Sequence, residues 1–307
     1  ESSVDFTRPL QFTDLTPLLM TSRKGWTGEI VKEQIQKIEK EIGNITYAIG
    51  DYGSDIKKGL SLCGIRHVHD MTHAIGIIVE NIYKMDEKFA GLVKKMSDMR
   101  IKLANTSAAH IIPPAQRKKS RYLNIDIISD WSNKALKLCE SKRFKKEDSK
   151  VVENLLWIKE YKSFIEDMVK INKIICDIEK KAKTFGLSRK TIEGCNKYLS
   201  ALKGRYGVEF REKINKYFED TMQRLPEKIK LLCSSDIIES SFGKYKNYLS
   251  QNPMAGITGL ALCIPAFTSN LEEVKIKEAF KTVRMKDIDA WIKQNIGATI
   301  LKKRNDV

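Results

Sequence analysis

The apolar residues of the amino-terminal part follow first a helical and then an alternating period. A helix opens at Gly25–Gly28, with Thr27 as its cap and a helical apolar stripe formed by Ile30, Val31, Ile35, Ile38 and Ile42. The strand Asn44–Asp51 follows, because its apolar residues alternate with smaller ones. The next elements are a helical turn at Asp55–Leu62, a short strand at Arg66–Asp70 and a helix from Met71. This order predicts a partly parallel α/β sheet.

The pattern changes after about residue 85 to a long helical block. Between Asp86 and Ser235, amphipathic runs rich in Lys, Glu, Ile and Leu predict helices at Glu87–Ala104, Ile125–Glu140, Asp148–Ala182, Arg189–Leu202 and Val208–Arg224. A further helix carries Glu239, since apolar residues recur around it at three- and four-residue steps, at Ile238, Phe242, Tyr245 and Leu249. A helical hairpin element at Gly256–Ala266 and two helices ending at Lys302–Arg304 complete the chain.

The charge balance favours a polyanionic partner. The 307 residues include 55 Lys and Arg against 39 Asp and Glu, which gives a formal net charge of +16. A field of this sign attracts nucleic acid. The alternative is a lysine-rich composition inherited from a low-GC genome, because composition does not localise the charge.

The cysteines and the hydropathy pattern indicate a reducing compartment and no membrane. The six cysteines are dispersed without a CxxC pair or the spacing of a disulfide framework, which predicts a reducing compartment, the cytoplasm or a nucleoid. No run approaches eighteen apolar residues, and the first residues lack the basic and apolar regions of a signal peptide.

Two carboxylates stand at defined edges of the predicted elements. Asp51 follows the strand that ends at Gly50, and Glu239 lies on an amphipathic helix. Ribonuclease H-like nucleases and transposases hold magnesium with such a pair of acids. Mg²⁺ takes oxygen ligands and keeps several waters, and two ions about 3.5–4 Å apart serve phosphodiester chemistry. The pair therefore predicts a centre that uses Mg²⁺ or Mn²⁺, while Asp55 and Asp236 are predicted to cap helices.

Several stretches resemble a family of bacterial insertion-sequence DDE transposases. They are Ile49–Gly59, His69–His73, Pro113–Asn124, Glu239–Lys246 and Gly256–Leu260, and the likeness extends from about Pro9 to Arg304. The resemblance implies an α/β fold, with an RNase H-like core, a large all-helical insertion domain and a helix-dominated chain overall. The implied domains are 1–85 for the first part of the core, 86–233 for the insertion and 234–307 for the remainder of the core. Asp51 matches the second catalytic aspartate, and Glu239 matches the catalytic glutamate.

The activity implied by the resemblance is metal-dependent DNA cleavage followed by strand transfer. The substrate is double-stranded DNA, both transposon ends and target, and the enzyme acts there as a homo-oligomer, although the sequence leaves the oligomeric state open. The family's first aspartate precedes the segment that matches Pro9–Met20, so we expect it to lie upstream of Glu1. Asp5 and Asp14 lack the expected strand context. The alternative is an inactive, transposase-derived DNA-binding or assembly protein.

The segment Asp70–His73 has two interpretations. In Mutator-like transposases a Cys-x-x-His pair follows the second aspartate at a similar place, which makes His73 a candidate catalytic residue near the scissile phosphate. Alternatively, Asp70 caps the helix that begins at Met71, and His73 packs in its first turn. Cys63, His67, His69 and His73 lie within eleven residues, which suggests zinc. The spacing disfavours it, because His67 and His69 share a strand face while Cys63 lies in a preceding turn, and no second Cys/His pair closes a tetrahedral site.

Basic residues predicted to contact DNA phosphates lie in two places. Arg117, Lys118, Lys119 and Arg121 follow the rigid Pro113-Pro114 element, and Lys244 and Lys246 lie one to two turns beyond Glu239. The alternative for both sets is a solvated charged face. Two aromatic residues of the helical block, Trp131 and Trp157, are candidates for stacking on a distorted base, although at helical spacing they are more often core.

Overall fold

The chain is dominated by helices. The computed structural model describes residues 5–23, 25–115, 121–223, 230–249, 259–268, 272–296 and 304. Within these residues the only sheet consists of two parallel strands. The chain divides into two compact units, of which unit 1 joins Glu1–Asp70 to Cys233–Val307 and unit 2 is Met71–Leu232. The helix-dominated class is confirmed, and the helix that begins at Met71 belongs to unit 2.

The first half of unit 1 follows the predicted order of helices and strands. Its elements are α1 (Gly28–Ile42), β1 (Tyr47–Gly50), α2 (Ser54–Leu62) and β2 (Arg66–His69). The Thr27 side chain accepts a hydrogen bond from the Ile30 amide, as its position predicts for a cap. β1 and β2 pair in parallel, with Tyr47 opposite Arg66 and Gly50 opposite His69. Asp55 does not cap α2, because the cap position is Gly53 and Asp55 lies in the first turn.

Two glycines let α1 and α2 approach closely. A Cβ added at Gly59 would lie 2.4 Å from Val31 Cγ1, and one added at Gly28 would lie 2.5 Å from Lys58 Cγ. Neither distance is compatible with a side chain at its present position. An ion pair between Lys58 and Glu29, 2.6 Å long, lies at the same crossing. The helix pair is therefore held at a separation that only glycine permits.

Unit 2 contains helices and no strand within its described residues. They are α3 (Met71–Tyr83), α4 (Glu87–Leu103), α5 (Ile125–Glu140), α6 (Ser149–Leu155), α7 (Lys162–Phe185), α8 (Arg189–Leu199) and α9 (Gly204–Met222). The prediction of one helix over Asp148–Ala182 is wrong, because a 3-10 segment at Leu156–Tyr161 separates α6 from α7. Side chains three apart eclipse in such a turn, and both Leu155 and Ile158 are fully buried. Both side chains therefore stay in the core across the change of winding.

The described residues of the second half of unit 1 include the helices α10 (Asp236–Leu249), α11 (Glu273–Thr282) and α12 (Met285–Asn295). The predicted hairpin element at Gly256–Ala266 lies partly outside the described residues, and the rest forms 3-10 turns at Gly259–Cys263 and Pro265–Thr268. Across all described helices, none combines the length and the apolarity that a membrane crossing requires.

Candidate functional site

Asp51 lies where its strand ends and the next helix begins. It follows β1 directly, and its side chain is exposed. One oxygen, Oδ1, accepts a hydrogen bond of 2.9 Å from the amide of Gly53. A Cβ at Gly53 would lie 2.9 Å from the same oxygen, so glycine there leaves room for the carboxylate. In open α/β sheets this carboxyl edge is where ligands bind.

Asp70 joins the same edge from the neighbouring strand. It follows β2, and its amide donates a hydrogen bond of 2.8 Å to the Gly50 carbonyl, which extends the parallel pairing by one step. Unlike Asp51, Asp70 is 0% exposed. A carboxylate removed from water in this way requires hydrogen-bond donors.

Ser235 supplies two of those donors and connects Asp70 to α10. Both the amide and the hydroxyl of Ser235 donate to Asp70 Oδ2, the hydroxyl at 2.8 Å. Ser235 also precedes α10, and its carbonyl accepts from the Glu239 amide at 3.2 Å. Asp236 is therefore the first residue of the helix and not its cap, contrary to the sequence-based expectation. We call the path Gly50–Asp70–Ser235 the acid-edge tether.

Glu239 lies one turn into α10, and its side chain is half-buried. The buried face of this helix includes only part of the predicted apolar stripe. Ser241 and Tyr245 are buried, whereas Ile238 is 50% exposed and Phe242 is 46% exposed. The helix is thus positioned by the acid-edge tether and by Tyr245, and two apolar side chains beside Glu239 face outward.

An aromatic group not anticipated from the sequence borders the same edge. The rings of Tyr52 and His69 stack with centroids 4.0 Å apart and planes 7° from parallel. His67 shares a strand face with His69, as alternation predicts, and their centroids are 4.4 Å apart. A Cβ at Gly50 would lie 3.2 Å from His67 Nε2, so glycine there lets this ring cross the strand. The glycine at the end of β1 was the only sequence signal for such close packing.

His73 belongs to a different unit from the two acids. It is exposed in the first turn of α3, in unit 2, whereas Asp51 and Glu239 are in unit 1. Asp70, the residue expected to cap the same helix, hydrogen-bonds to Ser235. The roles proposed for His73 remain predictions.

The predicted magnesium centre needs more ligands than the described elements bring together. Among the described residues, no three His, Cys, Asp or Glu side chains come close enough together to hold a metal ion. Asp51 and Glu239 supply carboxylate oxygens of the type that Mg²⁺ prefers. Two such residues alone do not fit a two-metal centre, which requires further oxygen ligands.

The predicted DNA-contacting residues have different surroundings. Arg117, Lys118 and Lys119 lie outside the described residues. Arg121 begins a 3-10 turn, Arg121–Asn124, whose last three residues have left-handed φ angles of 54 to 57°. Lys246 is exposed on α10. The Lys244 ammonium lies 3.6 Å from the centroid of the Phe12 ring, a cation–π contact within unit 1.

The two candidate stacking tryptophans pack within unit 2. Their rings stack on each other, with centroids 6.5 Å apart, against the core around Leu155. The indole N–H of Trp131 donates to the Ile111 carbonyl, and that of Trp157 donates to the Asn154 carbonyl at 2.7 Å. Both residues therefore have structural roles.

Comparison with protein-family models and with curated proteins finds no match to this chain.

Proposed function

We propose that this chain is part of a DDE-class DNA transposase whose acids include Asp51 and Glu239. The observation that carries the proposal is the acid-edge tether. It connects the end of the strand that precedes Asp51, through a buried carboxylate, to the start of the helix that bears Glu239. In this proposal β1, β2 and α10 belong to an RNase H-like core, and unit 2 is the helical insertion.

The cofactor in this proposal is Mg²⁺ or Mn²⁺, with Asp51 and Glu239 as two of its ligands. A further carboxylate must come from outside the described residues, and the resemblance assigns it to a strand upstream of Glu1. The residues of this chain have two tasks: Asp51 presents an exposed carboxylate at the strand end, and the tether fixes the helix that carries Glu239.

The decisive experiment extends the chain with the genomic sequence upstream of Glu1. We expect this longer chain to cleave transposon-end DNA with Mg²⁺ or Mn²⁺, and the chain Glu1–Val307 to be nearly inactive. In the longer chain, Asp51→Asn and Glu239→Gln should each abolish cleavage and leave DNA binding nearly intact. Asp289→Asn, at an exposed position of α12, is the matched control. Cleavage that survives Glu239→Gln would refute the assignment.

DNA binding provides a second test. We expect affinity for duplex DNA to fall steeply with salt, because contacts with phosphates release counterions. Charge reversal at Lys246, which is exposed on the Glu239 helix, should weaken binding more than reversal at Lys173, which is exposed on α7. Lys246 is preferred to Lys244, whose charge also contacts Phe12. Equal effects would argue against a DNA track along α10.

The alternative function is a transposase-derived DNA-binding or assembly protein without catalysis. The absence of a three-residue metal-ligand group among the described residues favours it. This alternative predicts that the extended chain binds transposon ends but does not cleave them with either metal. The cleavage assay therefore separates the two functions.

A further inference from the structure

A cavity of about 550 Å³ lies within unit 1 between the amino-terminal segment, α1 and α12. Its walls come from residues 19–23, from Gln34 and Lys37 on α1, and from Trp291 with residues 293–296 at the end of α12. The Thr21 hydroxyl donates to Asn295 Oδ1 at 3.1 Å and holds the first and last of these segments together. Cavities of about 300–1,000 Å³ are typical of small-molecule sites.

The charged side chains that line the described part of the cavity are all cationic. They are Arg23, Lys37 and Lys293, and no Asp or Glu of the described residues lies among them. None of these three cations forms an ion pair with a carboxylate of the described residues, although many other lysines of the chain do. A concave surface of one sign concentrates counterions of the other. The site is therefore suited to an anion.

A buried amide in the wall lacks a partner among the described residues. Gln34 is only 7% exposed, and its Nε2 makes no hydrogen bond within the described structure. Leaving a buried donor unsatisfied costs about 1–3 kcal/mol. The position lies on the inward face of α1, where the helical pattern would accept an apolar residue at no such cost. A ligand that offers an acceptor oxygen or nitrogen accounts for the amide.

We propose that this cavity binds a nucleotide. The three cations receive the phosphate, and Gln34 Nε2 donates to an acceptor on the base. The half-buried indole of Trp291 supplies a flat apolar surface against which the base stacks, which a simple inorganic anion would not need. The nucleotide is either free or one residue of a DNA strand. Binding here requires neither Asp51 nor Glu239, so the inference goes beyond the proposed transposase activity.

The first test measures binding of thymidine monophosphate, inorganic phosphate and an oligothymidylate of about ten nucleotides to the full chain by calorimetry. The double variant Lys37→Ala/Lys293→Ala should weaken the mononucleotide about tenfold or more, as the loss of charge-assisted hydrogen bonds does. Lys40→Ala/Lys286→Ala removes the same charge from exposed positions of α1 and α12 and should change affinity less than about twofold. Equal losses of mononucleotide affinity in the two variants would overturn the proposed site.

The second test uses the unsatisfied amide. Gln34→Leu should raise the melting temperature of the free protein, because the buried donor is removed, and should weaken the mononucleotide at the same time. If Gln34 had only a structural role, Gln34→Leu would lower the melting temperature and leave the affinity for the mononucleotide unchanged. Trp291→Leu should weaken the mononucleotide and leave inorganic phosphate unaffected.

The ligands themselves distinguish the remaining outcomes. If the mononucleotide binds and the oligonucleotide binds no more tightly, the ligand is a free nucleotide. Tighter, salt-dependent binding of the oligonucleotide identifies a DNA strand. Inorganic phosphate binding as tightly as the mononucleotide overturns the assignment of a nucleotide, as does failure of both nucleotides to bind. Failure of DNA cleavage leaves each of these outcomes unchanged.

Discussion

At the residue scale, the buried carboxylate of Asp70 is the contact on which the candidate site depends most. Its Oδ2 accepts hydrogen bonds from both the amide and the hydroxyl of Ser235, at the start of α10. Hydrogen bonds to a charged group contribute about 1.5–3 kcal/mol, more than neutral pairs do. Together with the packing of Tyr245, this buried side chain therefore positions the Glu239 helix.

We expect Asp70→Ala to destabilise unit 1 by about 1–3 kcal/mol, because the part-buried amide and hydroxyl of Ser235 lose their acceptor. Urea unfolding gives the free energy, and amide hydrogen exchange should show the loss of protection concentrated in α10. Asp289→Ala, at an exposed position, is the control and should change little. Unchanged exchange in α10 would contradict the tether.

A second residue-scale prediction concerns Tyr206 in unit 2. Burial, and then the hydrogen bond that its hydroxyl donates to Asp86, raise the pKa of Tyr206 from 10.0 to about 12. The folded state thus favours the protonated phenol. Its contribution to stability is complete below about pH 10 and is lost as the pH rises through about 12.

Urea unfolding at about pH 9 and at about pH 11 tests this sign. The wild-type chain should lose more unfolding free energy between the two conditions than Tyr206→Phe does, because phenylalanine does not titrate. Tyr198→Phe, at a 39% exposed position of α8, is the control and should keep the wild-type slope. Identical slopes for all three chains would exclude the Tyr206 contribution.

Residue-level sequence analysis identified Asp51 and Glu239 but not what connects them. The strand pattern and the glycines around Asp51 predicted its position at a strand end. The link between Asp70 and Ser235 spans 165 positions, and no local periodicity reports such a contact. The unpartnered amide of Gln34 was likewise invisible, because a glutamine within a helical pattern gives no signal of burial.

At the element scale, the crossing of α1 and α2 makes glycine necessary at Gly59. We expect Gly59→Ala to destabilise the protein by about 1–3 kcal/mol, because the new methyl group would overlap Val31. Gly243→Ala is the matched control, since outside its own helix backbone no atom of the described residues lies within 4 Å of an added Cβ there. That variant should gain about 0.5–1 kcal/mol from helix propensity. Thermal unfolding of both variants checks the opposite signs.

The element predictions succeeded where one face of a helix is buried and failed where winding changes. α5 spans Ile125–Glu140 as predicted. One face of this helix is buried, and Ser141 is its C-cap. The interruption between α6 and α7 was missed, because Leu155 and Ile158 fit an α-helical period nearly as well as a 3-10 turn. On α10 the apolar period was right for Tyr245, which is buried, and wrong for Ile238 and Phe242, which are exposed, while Ser241 takes a buried position.

At the scale of the whole molecule, unit 2 is continuous in sequence and unit 1 is not. Unit 2 has its own apolar core, which includes Leu155, Ile158 and Ile165. We expect a chain of residues 71–232 to fold alone, with strong helical circular dichroism and one cooperative urea transition. A chain of residues 1–70 is the comparison and should not unfold cooperatively, because it lacks Ser235 and α10. A non-cooperative transition for residues 71–232 would show that unit 2 depends on unit 1.

The tether also sets an order of events on the ribosome. Asp70 ends the first half of unit 1, and Ser235 is made 165 residues later. At about 5–20 residues per second, that interval is on the order of ten seconds, during which all of unit 2 is synthesised. A nascent or truncated chain that stops before Ser235 carries Asp51 without Glu239. Under the proposed function, unfinished products are therefore unable to nick DNA.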